Sequence, residues 1–153
     1  MEVAVRSSAA GAPPTPRVAR LIRSAARILR DPHREVSVFF CGDRRMAALN
    51  GRWRRRNRPT DVLSFPAGEA TNGFLGDIVI SVPYASRQAR RRGETPAREI
   101  DRLLLHGYLH LLGYDHETDQ GEMEALEGRL RTKLRIEERS RLALAAPRPR
   151  RSR

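Results

Sequence analysis

The sequence predicts a single small α+β domain, because four strand-like and five helix-like segments share a chain of 153 residues, about the length of one domain. A domain of this length buries roughly two-thirds of its unfolded surface, so its core needs no disulfides. The strand candidates are residues 2–6, 35–41, 61–65 and 76–82. The helix candidates are residues 17–30, 44–53, 86–93 and 96–112, and a segment that begins at Asp119.

The strand candidates are short runs of β-branched and aromatic residues beside turn-forming residues. The clearest is EVSVFFC (35–41), which Gly42 and Asp43 follow as a turn. The segments DVLSF (61–65) and GDIVISV (76–82) flank a glycine-containing loop. This arrangement predicts a hairpin or a neighbouring pair of strands.

The first three helix candidates combine apolar spacing with clear boundaries. Residues 17–30 place apolar side chains at helical intervals, and Asp31 and Pro32 end this segment. Residues 44–53 carry a shorter apolar face, and the strongly basic segment 86–93 predicts a brief surface helix.

The last two helix candidates show start and stop signals. Thr95 before Pro96 is a capping residue followed by proline, and Gly113 is placed to end that helix near Leu112. Asp119 begins the final helix. Its apolar stripe predicts core packing and consists of Met123, Leu126, Leu130 and Leu134.

Cysteine usage and hydropathy predict a cytoplasmic protein. Cys41 is the only cysteine, which excludes an internal disulfide and a cysteine-based zinc site and fits a reducing compartment. No run approaches the ~20 apolar residues of a membrane span, and the N-terminus lacks the pattern of a signal peptide. We therefore expect no membrane partner.

The charge predicts a polyanionic partner. The net charge is +12, and Lys133 is the only lysine among 30 basic residues. Guanidinium groups suit phosphate contacts, although a high arginine content can also reflect a GC-rich genome. We expect one domain over residues 1–138 and a basic, disordered tail over 139–153. Without the six arginines of that tail, the net charge falls to +6.

Three of the four histidines lie in HGYLHLLGYDH (106–116). His106 and His110 are four residues apart on a predicted helix and therefore share a face, and a left-handed turn at Gly113 can bring His116 to the same point. Three neutral imidazoles predict one Zn²⁺ ion with a fourth position left open, as in catalytic sites. The alternative is that they are ordinary polar or capping residues. Asp115 can orient a ligand or serve only as a turn residue.

The spacing also matches the zinc-peptidase pattern H-E-x-x-H-x-x-G-x-x-H. Gly107 stands where that pattern has its glutamate base, which argues against peptide hydrolysis. A glycine within a helix costs about 1 kcal/mol relative to alanine. It therefore indicates either a close approach of substrate or tight packing against a strand.

Three segments resemble the YbeY family, bacterial ribosomal RNA maturation factors regarded as zinc-dependent endoribonucleases. HGYLHLLGYDH resembles the family signature H-G-x-L-H-L-x-G-Y-D-H. LNGRWRRRNRPTDVLSFP (49–66) and LGDIVIS (75–81) are similar to two further family segments in the same order. The resemblance covers roughly residues 35–137.

The resemblance implies a set of site residues. His106, His110 and His116 are the expected metal ligands, and Arg54 corresponds to the functional arginine of the family beside the metal. Trp53 replaces the tyrosine that precedes this arginine, so the aromatic ring is kept and a hydroxyl is lost. Arg54 and Asp115 are our candidate catalytic residues. The basic residues expected to hold an RNA backbone are Arg55, Arg56, Arg90 and Arg91.

The implied fold is one mixed sheet with helices packed around it and the metal site at the end of a helix. The implied function is cleavage of single-stranded RNA during maturation of small-subunit (16S-type) ribosomal RNA and ribosome quality control. The implied partners are ribosomal RNA, the small ribosomal subunit and an Era-like GTPase, and we expect no DNA. The alternatives are a non-catalytic RNA-binding assembly factor with a structural zinc and a zinc peptidase-like hydrolase.

Overall fold

The predicted segments form four strands and five helices within the part of the chain that the structure, a computed structural model, describes. The structure describes residues 1–69 and 71–145, and the side chains as far as Leu134. The strands are β1 (Glu2–Ser7), β2 (Glu35–Cys41), β3 (Val62–Pro66) and β4 (Phe74–Ser81). The helices are α1 (Thr15–Leu29), α2 (Asp43–Arg54), α3 (Val82–Arg92), α4 (Pro96–Leu111) and α5 (Glu122–Ala145).

The strands make one mixed sheet in the order β1-β2-β4-β3. Strand β2 pairs in parallel with both β1 and β4, whereas β3 pairs antiparallel with β4. The α+β class, the mixed four-stranded sheet and the pairing of the last two strand candidates are thereby confirmed. Strand β3 lies at one edge of the sheet.

The two faces of the sheet carry different cores, because alternate residues of a strand point to opposite sides. Val38 and Phe40 belong to the larger core, which includes Leu104 and Tyr108 of α4. Phe39 and Cys41 belong to a smaller cluster with Met46 of α2. Cys41 is free and fully buried there. Helices α4 and α2 therefore cover opposite faces.

Helix α3 begins at Val82, four residues before the predicted start. Ser81 Oγ accepts the backbone N–H of Tyr84 at 3.4 Å, and Pro83 occupies the first turn. This cap ends β4 at Ser81, so the predicted inclusion of Val82 in the strand was wrong. A serine before V-P was a usable start signal.

Helix α5 begins at Glu122, three residues after the predicted start. Asp119 still caps it, since its carboxylate accepts the N–H groups of Gly121 and Met123 at 2.9 and 2.8 Å. The backbone of α5 continues to Ala145, and residues 146–153 of the predicted tail lie outside the described residues. The domain boundary at residue 138 stays a prediction. None of the helices in the described part of the chain is both long and apolar enough to cross a membrane.

Candidate metal centre

Helix α4 carries two histidines beside an apolar face. Thr95 Oγ accepts the N–H of Arg98 at 3.2 Å and Pro96 follows Thr95, which confirms the predicted helix start. His106 and His110 are partly buried, and their ring centroids lie 4.6 Å apart. The buried apolar residues that anchor α4 to the sheet include Ile100, Leu103, Leu104, Tyr108 and Leu109.

Gly113 reverses the chain after α4. Its φ is +97°, in the left-handed region that favours glycine. The N–H of Gly113 donates to the carbonyl of His110 at 3.0 Å, and the N–H of Tyr114 donates to the carbonyl of Leu109 at 3.1 Å. This helix end confirms the predicted turn at Gly113.

Asp115 shapes the next turn. Its carboxylate accepts the N–H of Glu117 at 3.0 Å, and its carbonyl accepts the N–H of Asp119 at 3.0 Å. These contacts are those of a turn residue, one of the two predicted roles. A part for Asp115 in orienting a ligand or in catalysis stays a prediction.

These turns bring His116 to the two histidines of α4. The ring centroid of His116 lies 5.6 Å from those of both His106 and His110. The Nε2 atoms of His106 and His110 are 3.1 Å apart, and one nitrogen from each of the three rings lies within 4.8 Å of the others. The cluster formed by His106, His110 and His116 can therefore hold one metal ion.

Glu127 of α5 holds the far side of the His106 ring. Its Oε2 lies 3.2 Å from Nδ1 of His106. A carboxylate can only accept, so Nδ1 carries the proton and Nε2 presents its lone pair towards the cluster. This is the carboxylate–histidine arrangement found behind metal ligands.

Glu127 stays ionised although it is almost fully buried, with only 8% of its surface exposed. Burial alone would raise the pKa of Glu127, but the hydrogen bond from His106 and the positive charges of Arg131 and Arg102 outweigh burial and lower it. Sequence reasoning missed this residue. The available signal was an acidic residue among the apolar positions of the α5 stripe, four residues after Met123 and three before Leu130.

The electrostatics of the cluster suit a metal ligand set. Burial lowers the pKa of His110, and the neighbouring His106 and His116 lower it further, against a smaller opposing effect of Asp115. His110 is therefore neutral at pH 7 with a lone pair available, as metal binding requires. Three neutral imidazoles are a donor set that fits Zn²⁺.

Gly107 faces the sheet and not the cluster. A Cβ atom at this position would lie 2.9 Å from Cγ2 of Ile78 on β4. From β3, Ser64 Oγ donates to the carbonyl of Gly107 at 3.1 Å. Of the two predicted reasons for this glycine, tight packing against a strand is the one observed. A glutamate here would run into the sheet, so the base of a zinc peptidase has no room at this position.

Arg54 is the arginine predicted to lie beside the metal. It is exposed at the last residue of α2, on the face of the sheet opposite α4. Its role beside a metal stays a prediction. The other predicted RNA-binding residues are also exposed: Arg55, Arg56, Arg90 and Arg91.

Comparison with known proteins places this fold and cluster in a family. The family model described as endoribonuclease YbeY matches residues 15–135. A protein named endoribonuclease YbeY from Sulfurihydrogenibium sp. (strain YO3AOP1) is 47% identical over 96 residues, which cover 60% of this chain and 62% of that protein. The protein of the same name from Aquifex aeolicus (strain VF5) is 51% identical over 85 residues, which cover 54% of this chain and 57% of that protein. The chain thus spans about three-fifths of the length of these relatives.

The fold has a counterpart among solved structures. The solution structure of TM1509 from Thermotoga maritima matches with a TM-score of 0.63 and 24% sequence identity, and the match covers 99% of each chain. At 24% identity, this similarity is evidence only for a shared fold. The family match, in contrast, spans well over half of the chain and includes all three clustered histidines. This chain therefore belongs to the endoribonuclease YbeY family.

Proposed function

We propose that this chain is a zinc-dependent endoribonuclease that cleaves single-stranded RNA during maturation of small-subunit (16S-type) ribosomal RNA and in ribosome quality control. The observation that carries the proposal is the convergence of His106, His110 and His116, whose ligand nitrogens lie within 4.8 Å of one another. Membership of a family whose relatives are named endoribonuclease supports RNA as the substrate.

The donor set supports Zn²⁺ as the ion. His106, His110 and His116 would hold it, and Glu127 would fix the orientation of His106. When bound, the ion supplies Lewis acidity that polarises a phosphoryl oxygen. In the described part of the chain, the group able to hold an ion contains these three histidines and no fourth protein ligand. A position left for water or substrate is the arrangement of catalytic zinc sites.

Arginines of this chain would bind and offset the negative charge of the substrate. Arg54 would offset negative charge that develops on the phosphoryl oxygens during cleavage. Its assignment rests on the family segment that residues 49–66 resemble. Arg55, Arg56, Arg90 and Arg91 would hold the RNA backbone through phosphate contacts, which position the strand without reading its sequence.

We place the activity in the cytoplasm, with ribosomal RNA, the small ribosomal subunit and an Era-like GTPase as partners. The lone, fully buried Cys41 supports a reducing compartment. The net charge of +12 supports a polyanionic partner. Co-sedimentation of the purified chain with small subunits, and its loss at raised salt, would test the ribosomal partner.

The function is tested by cleavage of small-subunit precursor RNA with and without a chelator. The wild type should cleave, the chelator should stop cleavage, and added Zn²⁺ should restore it. Arg54→Ala should lose most of the rate while it keeps its metal, and Arg20→Ala, which removes an exposed arginine on α1, should keep the rate. Full activity of Arg54→Ala would remove Arg54 from the mechanism.

The rival is a non-catalytic RNA-binding assembly factor with a structural zinc. His110→Ala separates the two, since a catalytic site should lose cleavage with a modest loss of stability. A large fall in the melting temperature of His110→Ala, together with no metal-dependent cleavage by the wild type, would favour the rival.

A further inference from the structure

Trp53 is an exposed aromatic residue on the surface of the protein. It lies in the last turn of α2 and is 61% exposed, the most exposed of the large hydrophobic side chains that the structure describes. The ring centroid of Phe65 lies 6.0 Å from that of Trp53 in an edge-to-face arrangement, and the guanidinium of Arg52 lies 5.5 Å from the indole centroid. These contacts fix the ring while most of its surface stays open.

A single exposed aromatic residue is common, so the surroundings of Trp53 decide what it can bind. Between Asp43 and Asp61 the sequence has no acidic residue. Five exposed arginines surround the indole in sequence: Arg52, Arg54, Arg55, Arg56 and Arg58. None of these five makes an ion pair with another residue that the structure describes. An open aromatic face within unpaired positive charge is typical of proteins that bind single-stranded nucleic acid, where bases stack and phosphates meet arginines.

Trp53 also contacts the strand against which α4 packs. Phe65 of β3 contacts Trp53. The preceding residue of the strand, Ser64, donates a hydrogen bond from its hydroxyl to the carbonyl of Gly107 on α4. Gly107 is adjacent to the predicted ligand His106. Strand β3 lies at one edge of the sheet, and Trp53 and helix α4 contact it from opposite faces.

We propose that Trp53 is a stacking platform for an unpaired nucleobase of the RNA substrate, with the surrounding arginines on the flanking phosphates. The proposal rests on the proposed function and assigns one contact of the substrate within it. Stacking does not depend on base identity, because every base has a π face. Trp53 therefore selects for unpaired RNA and not for a sequence.

The test uses the fact that Trp53 is the only tryptophan of the chain. Its fluorescence therefore reports directly on its own surroundings. A short unstructured oligouridine with a fluorescent end label is titrated with the protein, and RNA binding is followed by the anisotropy of the label. Indole fluorescence is followed in a parallel titration. We expect quenching of the indole with the same midpoint as the anisotropy.

Variants separate stacking from charge. Trp53→Leu should weaken binding about five- to a hundred-fold and leave the salt dependence of binding unchanged. Trp53→Phe should recover most of the affinity. Arg56→Ala should lower the slope of log affinity against log salt by about one. Arg20→Ala, which removes an exposed arginine on α1, is the control for charge and should keep the salt slope of the wild type.

The outcomes distinguish this proposal from the one on which it rests. RNA binding without indole quenching, and with Trp53→Leu equal to the wild type, would overturn stacking and leave the endoribonuclease proposal standing. No RNA binding by the wild type, with cleavage also absent, would overturn both and would point to a protein partner for the exposed indole. The circular dichroism and melting temperature of Trp53→Leu should match those of the wild type, since the side chain is largely outside the core.

Discussion

Glu127 of α5 accepts a hydrogen bond from Nδ1 of His106 on α4 at 3.2 Å. This contact joins two helices that are separate in the sequence, and it fixes which nitrogen of His106 is free to bind a metal. The metal centre therefore depends on the docking of α5 as well as on the HGYLHLLGYDH segment.

The first prediction concerns this contact. Glu127→Gln keeps the shape of the side chain and removes its charge, so the His106 ring becomes less basic and less firmly held. We expect Zn²⁺ affinity to fall about 10- to 100-fold, as measured by competition with a chromophoric chelator. Glu124→Gln, at an exposed position of the same helix, is the control and should bind Zn²⁺ as the wild type does. Equal affinities for the two variants would show that Glu127 does not support the site.

The second prediction concerns Asp31, which lies just after α1. Its side chain is fully buried. Burial alone would raise the pKa of Asp31, but hydrogen bonds from the Tyr108 hydroxyl and from His33 outweigh burial and lower it. Because the folded-state pKa is lower than the unfolded value, Asp31 stabilises the fold above about pH 4, and this contribution is lost as the pH falls through the folded-state pKa.

Asp31→Asn should therefore lower the free energy of unfolding by about 1–3 kcal/mol at pH 7. The difference between wild type and variant should shrink as the pH falls below about 4. Urea denaturation of both proteins at a series of pH values measures this difference in the free energy of unfolding. A difference that stays constant between neutral and acid pH would contradict the assignment of a charged Asp31 in the native state.

The third prediction concerns Gly107. An alanine Cβ there would lie 2.9 Å from Cγ2 of Ile78 and 3.2 Å from Oγ of Ser64. Overpacking should outweigh the gain in helix propensity and lower the free energy of unfolding by about 1–2 kcal/mol. Gly128→Ala on α5 is the matched control, because no atom lies within 4 Å of its added Cβ. The control should raise stability by about 0.5–1 kcal/mol. If both variants were stabilised equally, α4 would not be packed against β3 and β4 as described.

The fourth prediction concerns Gly113. Its φ of +97° is strained for any residue with a Cβ, although no atom within 4 Å would meet that Cβ. Gly113→Ala should cost about 1–2 kcal/mol of stability through the backbone alone. It should also weaken Zn²⁺ binding, since the turn places His116. Zn²⁺ affinity equal to that of the wild type would mean that His116 reaches the cluster without this turn.

The local pattern of the sequence was enough to predict the elements that carry strong signals. Strand β2 has the predicted limits 35–41 because its apolar run lies between a charged segment and a turn. Helix α4 has a capping threonine, a proline and a terminal glycine, so both of its ends were predictable to within one residue. The convergence of the three histidines followed from helical spacing and one glycine.

Contacts between distant segments could not be predicted in the same way. Glu127 reaches His106 across 21 positions of the sequence, and the apolar stripe beside Glu127 predicts core packing alone. Helices α2 and α4 cover opposite faces of the sheet, and no local pattern shows which face α2 covers. The start of α3 was missed because Val82 extends an apolar strand pattern, and the cap at Ser81 overrides it.

The most direct test of the central claim is metal stoichiometry in histidine variants. The wild type should bind one Zn²⁺ per chain, measured by elemental analysis after dialysis against a weak chelator. His106→Ala, His110→Ala and His116→Ala should each lose the ion while remaining folded. His33→Ala changes the one histidine outside the cluster and should keep it. Retention of one Zn²⁺ by all three cluster variants, or its loss from His33→Ala alone, would contradict a metal centre built from His106, His110 and His116.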